Sequence, residues 1–255
     1  MSKIIEHKLT EEFKGKEFFS KKELFDFFLL YEPDLKEGTL SWRIYDLKKK
    51  HIIKTIKKGL YTISYKPEFK PHLSSDLIKL TRKLRKKYKE INHCIWENNW
   101  LNEFSKHQTN KRIIIIEVEK DFAESIYYYL RDNTKHDLYL NPEKKTIDFY
   151  ISESSFPIII KGLISRSPIE KRVENKTEIL IPSLEKILVD IFSGKKLFYF
   201  YQGSELIHIY KNAINYYSIN FTKLFSYARR RGLESEIKFF IMSNMNQHVK
   251  SIIND

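Results

Sequence analysis

The sequence predicts an α+β protein: a small helical module closed by a strand pair, then a larger segment of mixed α/β pattern that ends in helices. Three observations carry this. The first 50 residues space their apolar side chains at helical intervals and then give way to two short alternating runs. A nearly continuous β-branched run, Arg112 to Val118, sits among further helical stretches. Beyond residue 204 the pattern is helical throughout. The expected division is a first domain over 1–66, a linker helix over 67–92 and an α/β domain over 93–255.

Ile4, Ile5, Leu9 and Phe13 define an opening amphipathic helix that stops at Gly15, and Phe18 and Phe19 follow as a short extended piece. Ser20 then caps a second helix, with Glu23 completing a capping box and Leu24, Phe27 and Phe28 forming its buried stripe. Pro33 and Gly38 bracket a turn, and Thr39 is placed to cap a third helix reaching about Lys50. Leu40, Ile44 and Leu47 fall on one face of it; Ser41, Trp42, Arg43, Tyr45, Lys48 and Lys49 take the remaining circumference. Ile52 to Ile56 and Leu60 to Ile63 alternate as strands around Lys57-Lys58-Gly59, where the glycine tolerates positive φ.

Helix, helix, helix, hairpin is the order of a winged helix-turn-helix. In that arrangement the third helix reaches base edges and the hairpin lysines neutralise phosphates. The expected contacts to double-stranded DNA are therefore Thr39, Ser41, Trp42, Arg43, Tyr45, Lys48, Lys49, Lys54, Lys57 and Lys58. The charge distribution agrees. Of a net +13, residues 1–90 hold 23 Lys and Arg against 13 Asp and Glu, which leaves only 23 against 20 for the rest. A localised positive field suits a partner carrying regularly spaced phosphates. Trp42 and Tyr45 are large enough to pack against the hairpin or the second domain instead of facing DNA. A protein-binding adaptor is the corresponding alternative for the module.

Ser74 or Ser75 caps the linker helix, which carries Leu77, Leu80, Leu84 and Tyr88 on one face and Lys79, Arg82, Lys83 and Lys86 on another. That cationic face either extends the DNA surface or is a solvated side. Further on, a helix with Phe122, Ile126 and Tyr129 follows the Arg112 to Val118 strand. Extended pieces are expected at Asp137 to Leu140, Pro157 to Ile164 and Lys176 to Ile181, with Pro182 opening a helix from Ser183 to Phe192. Three helices close the pattern, Ser204 to Tyr217, Phe221 to Arg231 and Glu234 to Val249.

Catalytic signals are few. Glu117, Glu119 and Lys120 at a strand end resemble a metal-dependent nuclease site, which clusters carboxylates around a divalent ion, but Val118 occupies the place where the restriction-type spacing needs an acid. That nuclease is the alternative from a different function class. Gly203-Ser204 resembles the start of a nucleotidyltransferase loop without the Asp-x-Asp that must follow. The histidines lack ligand spacing, and Cys94 is the only cysteine, so no metal, cofactor or disulfide is expected. With no apolar leader and no aliphatic run longer than Ile113 to Ile116, the expectation is a cytoplasmic protein that does not enter membranes.

Several segments resemble the AbiEi-type antitoxins and transcriptional regulators of type IV toxin–antitoxin systems. Thr39-Leu40-Ser41-Trp42-Arg43-Ile44-Tyr45-Asp46-Leu47 and Lys58-Gly59-Leu60-Tyr61-Thr62-Ile63 are similar to that family's recognition helix and wing. The C-terminal likeness covers Cys94-Ile95-Trp96, Trp100-Leu101-Asn102-Glu103-Phe104, Glu117-Val118-Glu119-Lys120, Pro182-Ser183-Leu184-Glu185-Lys186-Ile187-Leu188-Val189-Asp190, Tyr201-Gln202-Gly203-Ser204-Glu205-Leu206 and Tyr227-Ala228-Arg229-Arg230-Arg231-Gly232. The resemblance implies a repressor that binds inverted repeats upstream of its own operon. It also implies that the C-terminal domain counteracts a nucleotidyltransferase toxin encoded next door, with the catalytic motif belonging to the toxin.

Overall fold

Ser20 starts the second helix as its sequence predicts. Its hydroxyl accepts from the Glu23 amide at 3.1 Å, and the Glu23 carboxylate accepts from the Ser20 amide at 2.8 Å. That backbone bond, assisted by Lys16, holds the Glu23 carboxyl below its ordinary value. This computed structural model describes residues 3–254, and the N-terminal module is assembled from α1 (Lys3–Glu12), β1 (Phe19–Ser20), α2 (Lys21–Leu29), α3 (Glu37–Lys49), β2 (Lys54–Lys57) and β3 (Leu60–Thr62).

Two details of α3 differ from expectation or needed the structure to show. It begins two residues before Thr39, the expected cap; Lys36 holds the cap position without a side-chain bond. At its other end His51 adopts φ +56, and the amides of His51 and Ile52 return to the carbonyls of Lys48 and Leu47 at 3.1 and 2.9 Å. A histidine thus takes the left-handed place that glycine usually fills at a helix end. The three strands form an antiparallel sheet in the order β1-β3-β2, with Gly59 at φ +85 in the β2–β3 turn. Leu9, Phe13, Leu24, Phe28, Leu40 and Leu47 bury into a common core with Phe19, whose ring stacks on Phe13 at 3.9 Å.

The larger part is built on a mixed four-stranded sheet of β4 (His93–Glu97), β5 (Ile114–Val118), β6 (Asp137–Leu140) and β7 (Pro157–Gly162), ordered β4-β5-β7-β6. β5, β7 and β6 run parallel and β4 is antiparallel to β5. Every residue of β5 is buried, as a β-branched run covered on both faces must be. α5 (Ala123–Asn133) connects β5 to β6; a single turn α6 (Lys144–Thr146) and a π-helical turn Ile147–Ile151 connect β6 to β7. A separate ribbon, β8 (Ile169–Glu174) and β9 (Thr177–Pro182), turns at Asn175 and Lys176, both at positive φ.

α4 (Ser75–Lys87), expected as a linker, is capped by the Ser74 hydroxyl and buries Leu77, Leu80 and Leu84 in the same core as Ile95 and Ile115. Burying each such side chain is worth about 1.5–3 kcal/mol, so residues 67–92 are structurally part of the larger body. Pro182 ends β9 rather than opening the next helix, and Ser183 is the cap of α7 (Leu184–Ser193). All residues of α7 from Leu184 to Ile191 are buried, the behaviour of a helix packed on every side. It ends at Gly194, where a Cβ would lie 2.7 Å from the Phe198 ring and 2.9 Å from the Asp190 carbonyl oxygen.

α8 (Ser204–Tyr216), α9 (Phe221–Arg230), α10 (Glu234–Asn244) and α11 (Gln247–Asn254) complete the chain. The helix expected from Glu234 to Val249 is therefore two helices. Asn246 sits in the break, and its side-chain oxygen accepts from the Val249 amide at 3.0 Å. Among the described residues no helix is long and apolar enough to cross a membrane.

Candidate nucleic-acid interface

Because Leu40, Ile44 and Leu47 turn inward, the 3.6-residue period places the neighbours of those residues on the outer side of α3. Thr39, Ser41, Trp42, Tyr45, Lys48 and Lys49 are all exposed there. Trp42 is 73% and Tyr45 59% exposed, and their rings meet edge to face with centroids 6.0 Å apart. Two large aromatic rings standing mostly in water leave apolar area free for a partner. Lys48 and Lys49 make no ion pair among the described residues, so both charges remain available to phosphates.

Other predicted contacts are engaged within the protein. The Arg43 guanidinium donates to both Glu32 carboxylate oxygens, at 2.8 and 3.0 Å, and is partly buried. Lys54 pairs with Glu68 at 3.2 Å and lies 5.0 Å over the Tyr65 ring. At the hairpin tip, Lys57 donates to the carbonyls of Ile252 and Ile253 at 3.1 and 3.0 Å. These carbonyls lie in the last turn of α11, and a cation is favoured at that end of a helix. The Lys58 amide donates to the Thr222 hydroxyl of α9 at 2.6 Å, while the Lys58 side chain stays exposed. The hairpin expected to lie free on DNA is thus docked on α9 and α11, and the ammonium of Lys57 faces protein carbonyls. Nearby, Lys66 donates to the Ile214 carbonyl at 2.7 Å and the Ser218 amide to the Pro67 carbonyl at 3.0 Å, which ties the segment after β3 to the end of α8.

The cationic face of α4 divides in the same way. Arg82 donates to the Thr177 hydroxyl at 2.7 Å and the Asn175 carbonyl at 3.1 Å, steadying the β8–β9 turn, and Lys83 donates to the Asn133 carbonyl at the end of α5. Lys79 and Lys86 are exposed.

The nuclease triad is not assembled. Glu117 points inward: Lys186 donates to both of its oxygens at 2.7 Å, Trp96 donates to it at 3.2 Å, and Lys161 stands 3.5 Å away. Glu119, by contrast, is half-buried and accepts from the Asn92 amide at 3.1 Å and side chain at 2.5 Å. The Lys120 stem covers Gly162, where an added Cβ would come within 2.9 Å of it. Among the described residues no three His, Cys, Asp or Glu side chains are grouped to hold a metal ion.

What Glu117 belongs to was not foreseen. Lys186, fully buried, also donates to Asp190 at 2.5 Å; Asp190 accepts from the Tyr227 hydroxyl at 2.8 Å and lies 3.4 Å from Arg231, which donates to Ser193 at 2.5 Å. Burial works against the charge on Lys186, but Asp190 and Glu117 outweigh it and hold the ammonium well above its ordinary value. Burial likewise opposes ionisation of Asp190, and Lys186, Lys161 and Arg231 together hold its carboxyl below the ordinary value. Burial among these charges pushes the Cys94 thiol up, so it behaves as an inert apolar group. One signal was present in the sequence: Leu184 to Phe192 carries Glu185, Lys186 and Asp190 in an otherwise apolar run, too few charges for a solvated face.

No curated protein matches the chain. A family model does match, from residue 39 inside α3 to residue 247 at the start of α11, so it takes in the exposed helix, the docked hairpin and the charged core together. The chain belongs to that family, DUF6577, a family of unknown function.

Proposed function

We propose that the chain is a DNA-binding transcriptional regulator whose N-terminal module is a winged helix-turn-helix and reads duplex DNA through α3. One observation carries the reading: α3 presents Trp42, Tyr45, Lys48 and Lys49 to solvent in a unit whose order is helix, strand, two helices and a hairpin. The docked hairpin shifts the contact surface away from Lys57 and toward α3. The toxin-counteracting role of the larger body is proposed on the resemblance alone.

The test is the salt dependence of binding to a fluorescent duplex, read by anisotropy. Each neutralised phosphate contributes a slope of about 0.9 in log K against log salt. Replacing Lys48 and Lys49 together with alanine is expected to flatten the slope by about 1.8, while Lys57→Ala leaves it unchanged. An unchanged slope in the double variant removes α3 from the interface; a flattened slope in Lys57→Ala returns the hairpin to it.

A further inference from the structure

A cleft of about 950 Å³ opens beyond the carboxyl ends of the parallel strands β6 and β7, bounded by the segment after β6, the end of α7 and Arg231. Open parallel sheets bind ligands at that end of their strands, and the volume is of the size that holds a small molecule. Its charge is one-sided: five lysines and Arg231 line it against only Glu143 and Asp190, and Asp190 is already held by Lys186 and Tyr227.

The cations come in two kinds. Lys161 and Arg231 are anchored at its base by the buried carboxylates Glu117 and Asp190. Lys144, Lys145, Lys195 and Lys196 are exposed on two separate segments at its edge and form no ion pair among the described residues. Like charges gathered around one recess repel one another, and an anion entering it relieves that repulsion. Half-buried Leu197 and Pro142 give it an apolar wall; Ile159 and Phe198 also line it but are only 1% exposed.

We propose that this cleft binds a free nucleotide, its phosphates among the lysines and its base against the apolar wall. A single-stranded nucleic acid fits less well. Sequence-tolerant strand binding uses an extended basic groove with successive stacking rings, whereas these cations ring one recess. The site is independent of the DNA reading of α3.

The experiment is titration calorimetry of the full chain with ATP, pyrophosphate, adenosine and a single-stranded RNA octamer. ATP is expected to bind, pyrophosphate to bind more weakly and adenosine to give no heat. Replacing Lys144, Lys145, Lys195 and Lys196 with alanine is expected to weaken ATP at least about tenfold, because charge-assisted bonds to phosphate are lost from solvent-exposed positions. The melting temperature and duplex binding of that variant stay at wild-type values. Absence of ATP binding at millimolar concentration, or equal ATP affinity in the four-lysine variant, overturns the proposal. So does octamer binding that the variant loses and ATP does not displace.

Discussion

Lys186→Met is expected to lower the stability of the chain by about 3–5 kcal/mol, the range found when one partner of a buried ion pair is removed and an uncompensated charge stays behind. Glu117 and Asp190 are 0% and 1% exposed, so neither carboxylate can turn to water when the ammonium goes. Lys161 and Arg231 reach them at 3.5 and 3.4 Å but donate no hydrogen bond to either at those distances, and Lys186 accounts for the 2.5 and 2.7 Å contacts. Urea denaturation reads the loss as a lower midpoint at unchanged slope. Replacing Glu117, Lys186 and Asp190 together by Leu, Met and Leu is expected to recover only part of it, since an apolar set avoids the desolvation cost of the charges but leaves the buried Trp96 and Tyr227 donors without their acceptors. The two cations then stranded can hydrate, because their side chains are each 22% exposed.

The same core sets a pH window. The Asp190 carboxyl is depressed in the folded chain, so its contribution is complete above the ordinary value of 3.8 and is lost as pH falls through the depressed one. The Lys186 ammonium is raised, so its contribution is complete below 10.5 and is lost as pH rises beyond that. Lys186→Met is therefore most costly between these limits.

The second large effect concerns the interface. Replacing Trp42 and Tyr45 with alanine is expected to weaken duplex binding about 30-fold or more, since truncated aromatic hot spots typically lose 2 kcal/mol or more. Stability should change little, because both rings stand mostly in solvent and bury almost nothing in the core. A binding loss accompanied by a large fall in melting temperature would show that the pair serves the fold instead. A stable variant that binds normally would show that another partner covers these rings.

Local signals in the sequence predicted local structure well. The Ser20–Glu23 capping box, the Leu40, Ile44 and Leu47 face of α3 and the β-branched run of β5 each depend on spacing within a few residues, and each is present. β8 was missed because Ile169 to Glu174 carries four charged residues and lies partly open to solvent, so it lacks the apolar alternation of a half-buried strand. The break between α10 and α11 has neither glycine nor proline to mark it; an asparagine cap does the work. The stripe of Leu77, Leu80 and Leu84 predicted a helix but could not say which core it would enter.

The candidate site divides along the same line. Which residues lie on the outer face of α3 follows from its periodicity. Whether a given cation is available there does not, because the acceptors are distant in sequence. Arg43 meets Glu32 eleven residues away, and Lys57 meets a carbonyl 195 residues away. A hairpin that carries lysines and glycine reads as a free wing until the helices that receive it are placed.

Photo-crosslinking tests the central claim most directly. A benzophenone amino acid is put at Tyr45 on α3 and, in a separate protein, at Phe149 on the larger body, positions 59% and 69% exposed in the native chain. With a labelled duplex at low salt, the account predicts a covalent adduct from position 45 that fades as salt rises, and none from position 149. Adducts from position 149 alone, or from neither position, would contradict it.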